Sequence, residues 1–240
     1  MPTVASVMDK VAREVKVAVP NGWVAATTLT YMELKDLLQE TVDELLERVD
    51  WPDPIAKDTT VTGTGVETYS LPSDFKRMTR DDLAVYESTS TRRACIAVTT
   101  RGQWTHLQDI GSAAGNRYYR LSGDEESGYE ISFFRDLETD AEVTASYVSK
   151  NWLVISSTEG SVWSDEGATL LLPRRLIELG VVWRFRRRKG LAYLDRYNEY
   201  EGMIAKLSND KKGLRSIGFG EPDELPAPMR VPVPDYIPSA

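Results

Sequence analysis

The strongest pattern in the chain lies between Leu170 and Leu207, where Leu172, Leu176, Leu179 and Trp183 recur at steps of four, three and four. That spacing predicts a helix with one apolar face, entered through Pro173 in its first turn and ended by Gly190. Tyr193, Tyr197, Tyr200, Ile204 and Leu207 restart the rhythm, so a second helix with a tyrosine-rich seam is expected to fold back on the first. Near the N-terminus Val4, Val7, Met8, Val11 and Val15 share a face from Thr3 onward. Pro20-Asn21-Gly22 breaks this helix. Thr30 and Glu33 have the spacing of a capping box for the next one, whose apolar positions run from Leu34 through Leu37, Leu38, Val42, Leu45 and Leu46 to Val49, as far as Trp51.

Trp51-Pro52-Asp53-Pro54 stops the helical section, because a residue before proline is pushed out of the helical region. From about Lys57 to Trp163 the apolar period shortens to two. The segments GVETYSL, RYYRLSG, GYEISFF and EVTASYV read as strands, with Val143, Ala145 and Tyr147 alternating against Thr144 and Ser146. Arg101 to Asp109 is the one helical turn expected among them. The fold class is therefore α+β: a four-helix bundle with a β-sandwich or barrel-like insertion and an extended C-terminal arm. The expected divisions are residues 1–54 and 166–214 for the two halves of the bundle, 55–165 for the β insertion and 215–240 for the arm.

Charge changes the picture in three places. From Thr30 to Pro52 seven acids face Lys35 and Arg48, a net of -5, whereas from Pro173 to Gly190 seven bases face Glu178 alone, a net of +6. These helices are electrostatic complements, and opposite charge is expected to choose helix neighbours inside one bundle or between copies. The basic run Arg184, Arg186, Arg187, Arg188 and Lys189 sits at a helix C-terminus, where each exposed cation is worth ~0.3–1 kcal/mol against the dipole. Two readings stand for it: a solvated, dipole-compensating helix end, or a contact surface for an acidic partner, with Arg184 and Arg188 pairing with acids on a neighbouring copy or another protein. After Ile217 the chain holds six of its twelve prolines and a net charge of -3. Its spaced Phe219, Leu225, Met229, Val231, Val233, Tyr236 and Ile237 suit an extended arm that orders on a partner.

The whole chain of 240 residues carries a formal charge of -8, which disfavours holding a nucleic acid backbone. One cysteine, Cys95, and one histidine, His106, permit neither an intrachain disulfide nor a Cys/His metal cluster, so no metal or other cofactor is expected. No apolar run approaches the roughly 20 residues of a membrane span, and a soluble protein made inside the cell is expected. Gly63-Thr64-Gly65 lacks the lysine and following helix of a phosphate loop, and His106 has no nucleophile motif beside it. No catalytic residues are expected.

The order of Trp51-Pro52 after an acidic helix, YSLPSDFKRM at Tyr69 to Met78, a strand-rich middle, LLLPRRLIELGVVWRFRRRKGLAY at Leu170 to Tyr193 and YNEYE at Tyr197 to Glu201 resembles the tailed-phage head-to-tail adaptor family. The resemblance spans roughly Val4 to Leu214. Its most specific pieces are the L-P-x-D-F turn and the W-R-x-x-x-x-K-G helix end, Trp183 to Gly190. It implies a non-enzymatic virion protein, assembled in the host cytoplasm, that forms a twelvefold homo-oligomeric ring at the head-tail interface. Its implied partners are the portal protein, gripped by the C-terminal arm, and a downstream tail or stopper protein, with double-stranded DNA only as passing cargo. A stopper or tail-tube ring of the same particle is an alternative, as is a single-stranded nucleic acid binder that stacks bases on its tyrosines. The short extra helix before Pro20 and the arm's register depart from a simple adaptor.

Overall fold

The structure is a computed structural model that describes residues 2–81, 83–88, 92–110 and 117–212, with side chains as far as Leu207. Helix α1, Val4–Glu14, starts at Thr3, whose hydroxyl accepts the Ser6 N–H at 3.2 Å, and buries Val4, Val7, Met8 and Val11 completely. Helix α2 spans Leu29–Arg48. Thr30 lies inside it, so the expected capping box does not form; Thr28 takes the cap position without a side-chain bond. Glu33, the other half of that box, pairs instead with Lys189 at 2.7 Å, a cross-helix ion pair in place of a local one.

The strands follow as β1 Ala56–Thr62, β2 Thr68–Ser70, β3 Phe75–Met78, β4 Val85–Glu87, β5 Arg93–Ala94 and β6 Ile96–Ala97. Helix α3, Arg101–Ile110, then precedes β7 Tyr118–Asp124, β8 Gly128–Phe133, β9 Glu142–Ser149, β10 Leu153–Ile155, β11 Thr158–Gly160 and β12 Thr169–Leu170. Strand β9 is central to the first sheet. From Glu142 to Val148 it pairs with β1 on one edge, and its other edge is shared in tandem by β4 and β3. The second sheet runs β2-β8-β7-β6, with β6 parallel to β7. Val143, Ala145 and Tyr147 from β9 enter one apolar cluster with Phe75, Ile131 and Phe133, so the two sheets share a core. The barrel expectation fails: β1 and β5 end one sheet, β2 and β6 end the other, and none of these edges meets another strand among the described residues.

Helices α4, Arg174–Arg188, and α5, Leu194–Lys212, are the last of the described elements. Pro173 stands at the cap of α4 rather than in its first turn. Every residue from Leu176 to Phe185 is buried, which a one-faced amphipathic helix would not allow. The reason is that α1, α2 and α5 all pack on α4, enclosing it. Trp152, Leu153, Ala168 and Leu170 join this helical core, and the Thr3 to Thr169 bridge ties the N-terminus to β12. Val148, from the far end of β9, belongs to the helical core as well, so that strand anchors both clusters.

Candidate interaction surface

The acidic and basic helices find each other within the chain. Lys189 pairs with Glu33 at 2.7 Å, Arg188 with Glu40 at 3.0 Å, and Arg184 with both Glu40, at 3.5 Å, and Glu44. Residue numbers rise along α2 as they fall along α4, so the pair is antiparallel. Arg184 also donates to the Gly180 carbonyl at 3.0 Å and to Thr41 Oγ1 at 3.2 Å, and its guanidinium lies 4.4 Å from the centre of the Trp183 ring. With only 5% of its side chain exposed it has no face left for another molecule. Of the two arginines expected to meet acids outside the chain, Arg184 is taken up by α2, whereas Arg188 keeps 48% of its side chain exposed beside Glu40.

Arg186 and Arg187 differ from their neighbours. Arg186 is half-buried, Arg187 is exposed, and among the described residues neither has an ion pair. Nor are they needed to satisfy the helix end. Gly190, at φ +68, donates to the Arg187 carbonyl at 3.1 Å, and Leu191 donates to the Arg186 carbonyl at 2.9 Å, the two bonds of a glycine-terminated helix.

The tyrosine seam packs around one ring. Tyr193, Tyr197 and Tyr200 place their centroids 6.4, 5.2 and 6.2 Å from that of Trp183. Tyr200 is fully buried, and burial pushes its hydroxyl pKa up. Rings used in this way do not offer a row of free faces to bases. Outside them lies a cleft of about 390 Å³, lined among others by Arg187, Leu194, Tyr197, Glu44 and Glu201. Arg48, also in its lining, makes a bidentate bond to Glu201, both contacts at 2.7 Å. Leu191 and Leu194 stand 54% and 61% exposed at the turn between α4 and α5.

Three features fix this surface rigidly to the rest of the chain. The first is Glu178, the lone acid of α4, whose side chain is 2% exposed and accepts Lys10 Nζ at 2.5 Å and Arg174 Nε at 2.6 Å. Burial alone would raise its pKa; the bonds from Lys10 and Arg174 outweigh that and hold it below its ordinary value. The second is Gly180, where an added Cβ would stand 2.3 Å from Thr41 Cγ2 and 3.1 Å from Tyr200 Cε2, so α2, α4 and α5 cross there at a distance only glycine permits.

The third is the joint between helices and sheets. The last carbonyls of a helix have no partner within it. In α2, Leu45 receives Val49 N–H at 3.2 Å and Trp51 Nε1 at 3.0 Å, Leu46 and Val49 receive Arg77 at 3.0 and 2.9 Å, and Glu47 and Arg48 receive Arg80 at 2.8 and 3.2 Å. Arg77 also pairs with Asp50 at 2.6 Å. The L-P-x-D-F turn sets up the strand that carries Arg77: Phe75 N–H donates to the Pro72 carbonyl at 2.9 Å, and Phe75 itself enters the β core. Its Asp74 accepts Lys57 Nζ at 2.7 Å, Ser149 Oγ at 2.8 Å and the Tyr147 hydroxyl at 2.9 Å, and Lys57 reaches on to Glu159 at 2.5 Å. Burial pushes Asp74 up, but these donors, Lys57 foremost, bring it below its usual range. One motif therefore links β1, β3, β9 and β11.

The groups capable of chemistry are dispersed. His106 is exposed on α3. Cys95 is buried, and its thiol is pushed up to about 12, first by desolvation and then by Glu87, which leaves no thiolate for attack near neutral pH. Among the described residues no three His, Cys, Asp or Glu side chains form a metal-binding group, and no helix is long and apolar enough to cross a membrane. A cleft of about 850 Å³ beside the C-terminus of α2 holds Asp50, Asp58 and Asp81. Asp50 is tied to Arg77, and Asp58 accepts the Ser146 hydroxyl at 2.6 Å.

The seven residues expected to form a partner-binding arm, Phe219, Leu225, Met229, Val231, Val233, Tyr236 and Ile237, lie outside the described residues. Among curated proteins none matches the chain. The family described as SU10 adaptor protein matches residues 2–231, which takes in both helical segments, the twelve strands of the described residues and most of the C-terminal segment. On that near-complete match the chain belongs to the SU10 adaptor protein family, a family of phage head-to-tail adaptors.

Proposed function

We propose that this structural phage protein forms the ring that joins the portal to the tail and lets DNA pass through it. The observation that carries the reading is the family match over residues 2–231. The architecture supports it: four helices, read as a bundle around α4, are clamped through Arg77 and Arg80 to a two-sheet platform, as suits a part that transmits load between neighbours. A net charge of -8 favours a conduit that does not retain DNA. In this reading twelve copies close the ring, the segment after Ile217 grips the portal through its spaced apolar residues, and the platform meets the next tail or stopper protein. The protein then resides at the head-tail interface of the virion.

The test is capture by purified portal and by purified tail proteins of the full chain and of a chain ending at Ile217. The full chain is expected to bind portal, and the shortened chain to keep its circular dichroism spectrum and lose portal binding. Capture by tail proteins alone would place the protein in the stopper or tail-tube role.

A further inference from the structure

We infer that two leftover surfaces of this chain, the corner between α4 and α5 and the outer stripe of α2, are the two halves of one contact between copies. The helices use their opposite charges unevenly. On α2, Glu33, Glu40 and Glu44 are engaged by α4, but Asp36 is exposed and has no cationic partner among the described residues. It shares a helical stripe, at steps of three and four, with Leu29 and Met32, which stand 81% and 48% exposed. On the other side, Arg186 and Arg187 have no acid partner among the described residues and sit beside the exposed Leu191 and Leu194.

Each surface thus pairs apolar side chains with unmatched charge, and the charges are opposite. Helix caps do not account for the two arginines, because Gly190 and Leu191 already satisfy their carbonyls. Two neighbouring copies supply the missing halves, one for each surface: Leu29 and Met32 of one copy against Leu191 and Leu194 of the next, with Asp36 against the guanidinium of Arg187. A closed ring requires such a contact, since head-to-tail association joins two different patches on every copy. This inference rests on the adaptor reading and names the residues through which its ring would close.

The experiment is sedimentation velocity of the full chain over a concentration series at about 0.05 M and 0.5 M salt. Variant A is Arg186→Glu with Arg187→Glu, and variant B is Asp36→Arg; both alter exposed or half-exposed residues, and unchanged circular dichroism and melting curves establish their folds. The wild type is expected to self-associate, less at high salt, and each variant alone to associate roughly tenfold or more weakly. Mixing A with B restores association, because glutamates on one copy then face arginine on the other. Variants that associate as strongly as the wild type, a mixture no stronger than its parts, or a wild type that stays monomeric throughout would overturn the surface. Portal capture is scored separately: a chain that binds portal while ignoring these substitutions retains the adaptor role and loses this interface.

Discussion

Gly180 on α4 and Thr41 on α2 meet so closely that a Cβ on the glycine would stand 2.3 Å from the threonine Cγ2. Neither backbone can yield freely, because Tyr200 closes the same crossing from α5 at 3.1 Å. Gly180→Ala is therefore expected to destabilise the fold by about 1–3 kcal/mol, although alanine is the better helix former. Thr41→Ser removes the offending methyl and keeps the hydroxyl that donates to the Leu37 carbonyl at 2.7 Å. In the Gly180→Ala background it is expected to recover part of the loss, read from denaturant midpoints. An alanine variant as stable as the wild type would show that the crossing is loose.

Arg77 and Arg80 are expected to hold sheet and helix together as one cooperative unit. Removing the Arg77 guanidinium leaves the carbonyls of Leu46 and Val49 and the carboxylate of Asp50 short of a donor. Arg77→Ala is expected to cost about 2–4 kcal/mol. Arg77→Lys should recover little, since one ammonium cannot span three acceptors that a planar fork reaches. Calorimetry of both variants checks this, and full recovery by lysine would reduce the contact to simple charge.

The basic run contains residues of opposite consequence. Arg184→Ala leaves Glu44 with Arg48 alone, removes a donor from Thr41 and empties a buried site, an expected loss of about 2–4 kcal/mol. Arg187→Ala, at an exposed site with no ion pair among the described residues, should stay within about 0.5 kcal/mol. Melting curves that rank the two the other way would contradict the pairing of α2 with α4.

Glu178 makes stability depend on acid. Its folded pKa is held below the ordinary 4.5 by Lys10 and Arg174, against the opposing effect of burial. Its stabilisation is accordingly complete above about pH 4.5 and is lost as pH falls through the lower folded value. Asp74 and Glu201 are shifted in the same direction, so a residual acid dependence persists without Glu178. Glu178→Gln should be less stable than the wild type at neutral pH, and the gap between them should narrow as the solution is acidified. A constant gap from neutral to acid pH would mean that Glu178 gains nothing from its ionised state.

Periodicity made the helices legible, and the excess of acids on one and bases on another announced that α2 and α4 attract. Register was not legible: the pairing of Glu33 with Lys189 depends on how two helices 150 residues apart align, and it defeated the capping box that Thr30 and Glu33 suggested locally. The enclosure of α4 was hidden because its buried stretch includes Glu178, Gly180 and Arg184, residues that suggest an exposed face until their partners on three other helices are known. Arg77 and Arg80 gave no signal, since their acceptors are backbone carbonyls of a helix some 30 residues earlier. The L-P-x-D-F turn was recognisable as a motif, but its role in anchoring Lys57, Tyr147 and Ser149 emerges only when two strands, β1 and β9, converge on Asp74.

The most direct test of the adaptor role is cryo-electron microscopy of tail-less phage heads incubated with the purified full chain. An adaptor is expected to add a ring of new density beneath the portal, into which the helices around α4 and the two-sheet platform fit as one rigid piece. Heads whose portal vertex stays bare at saturating protein, or particles that carry the chain elsewhere on the capsid, would contradict that role.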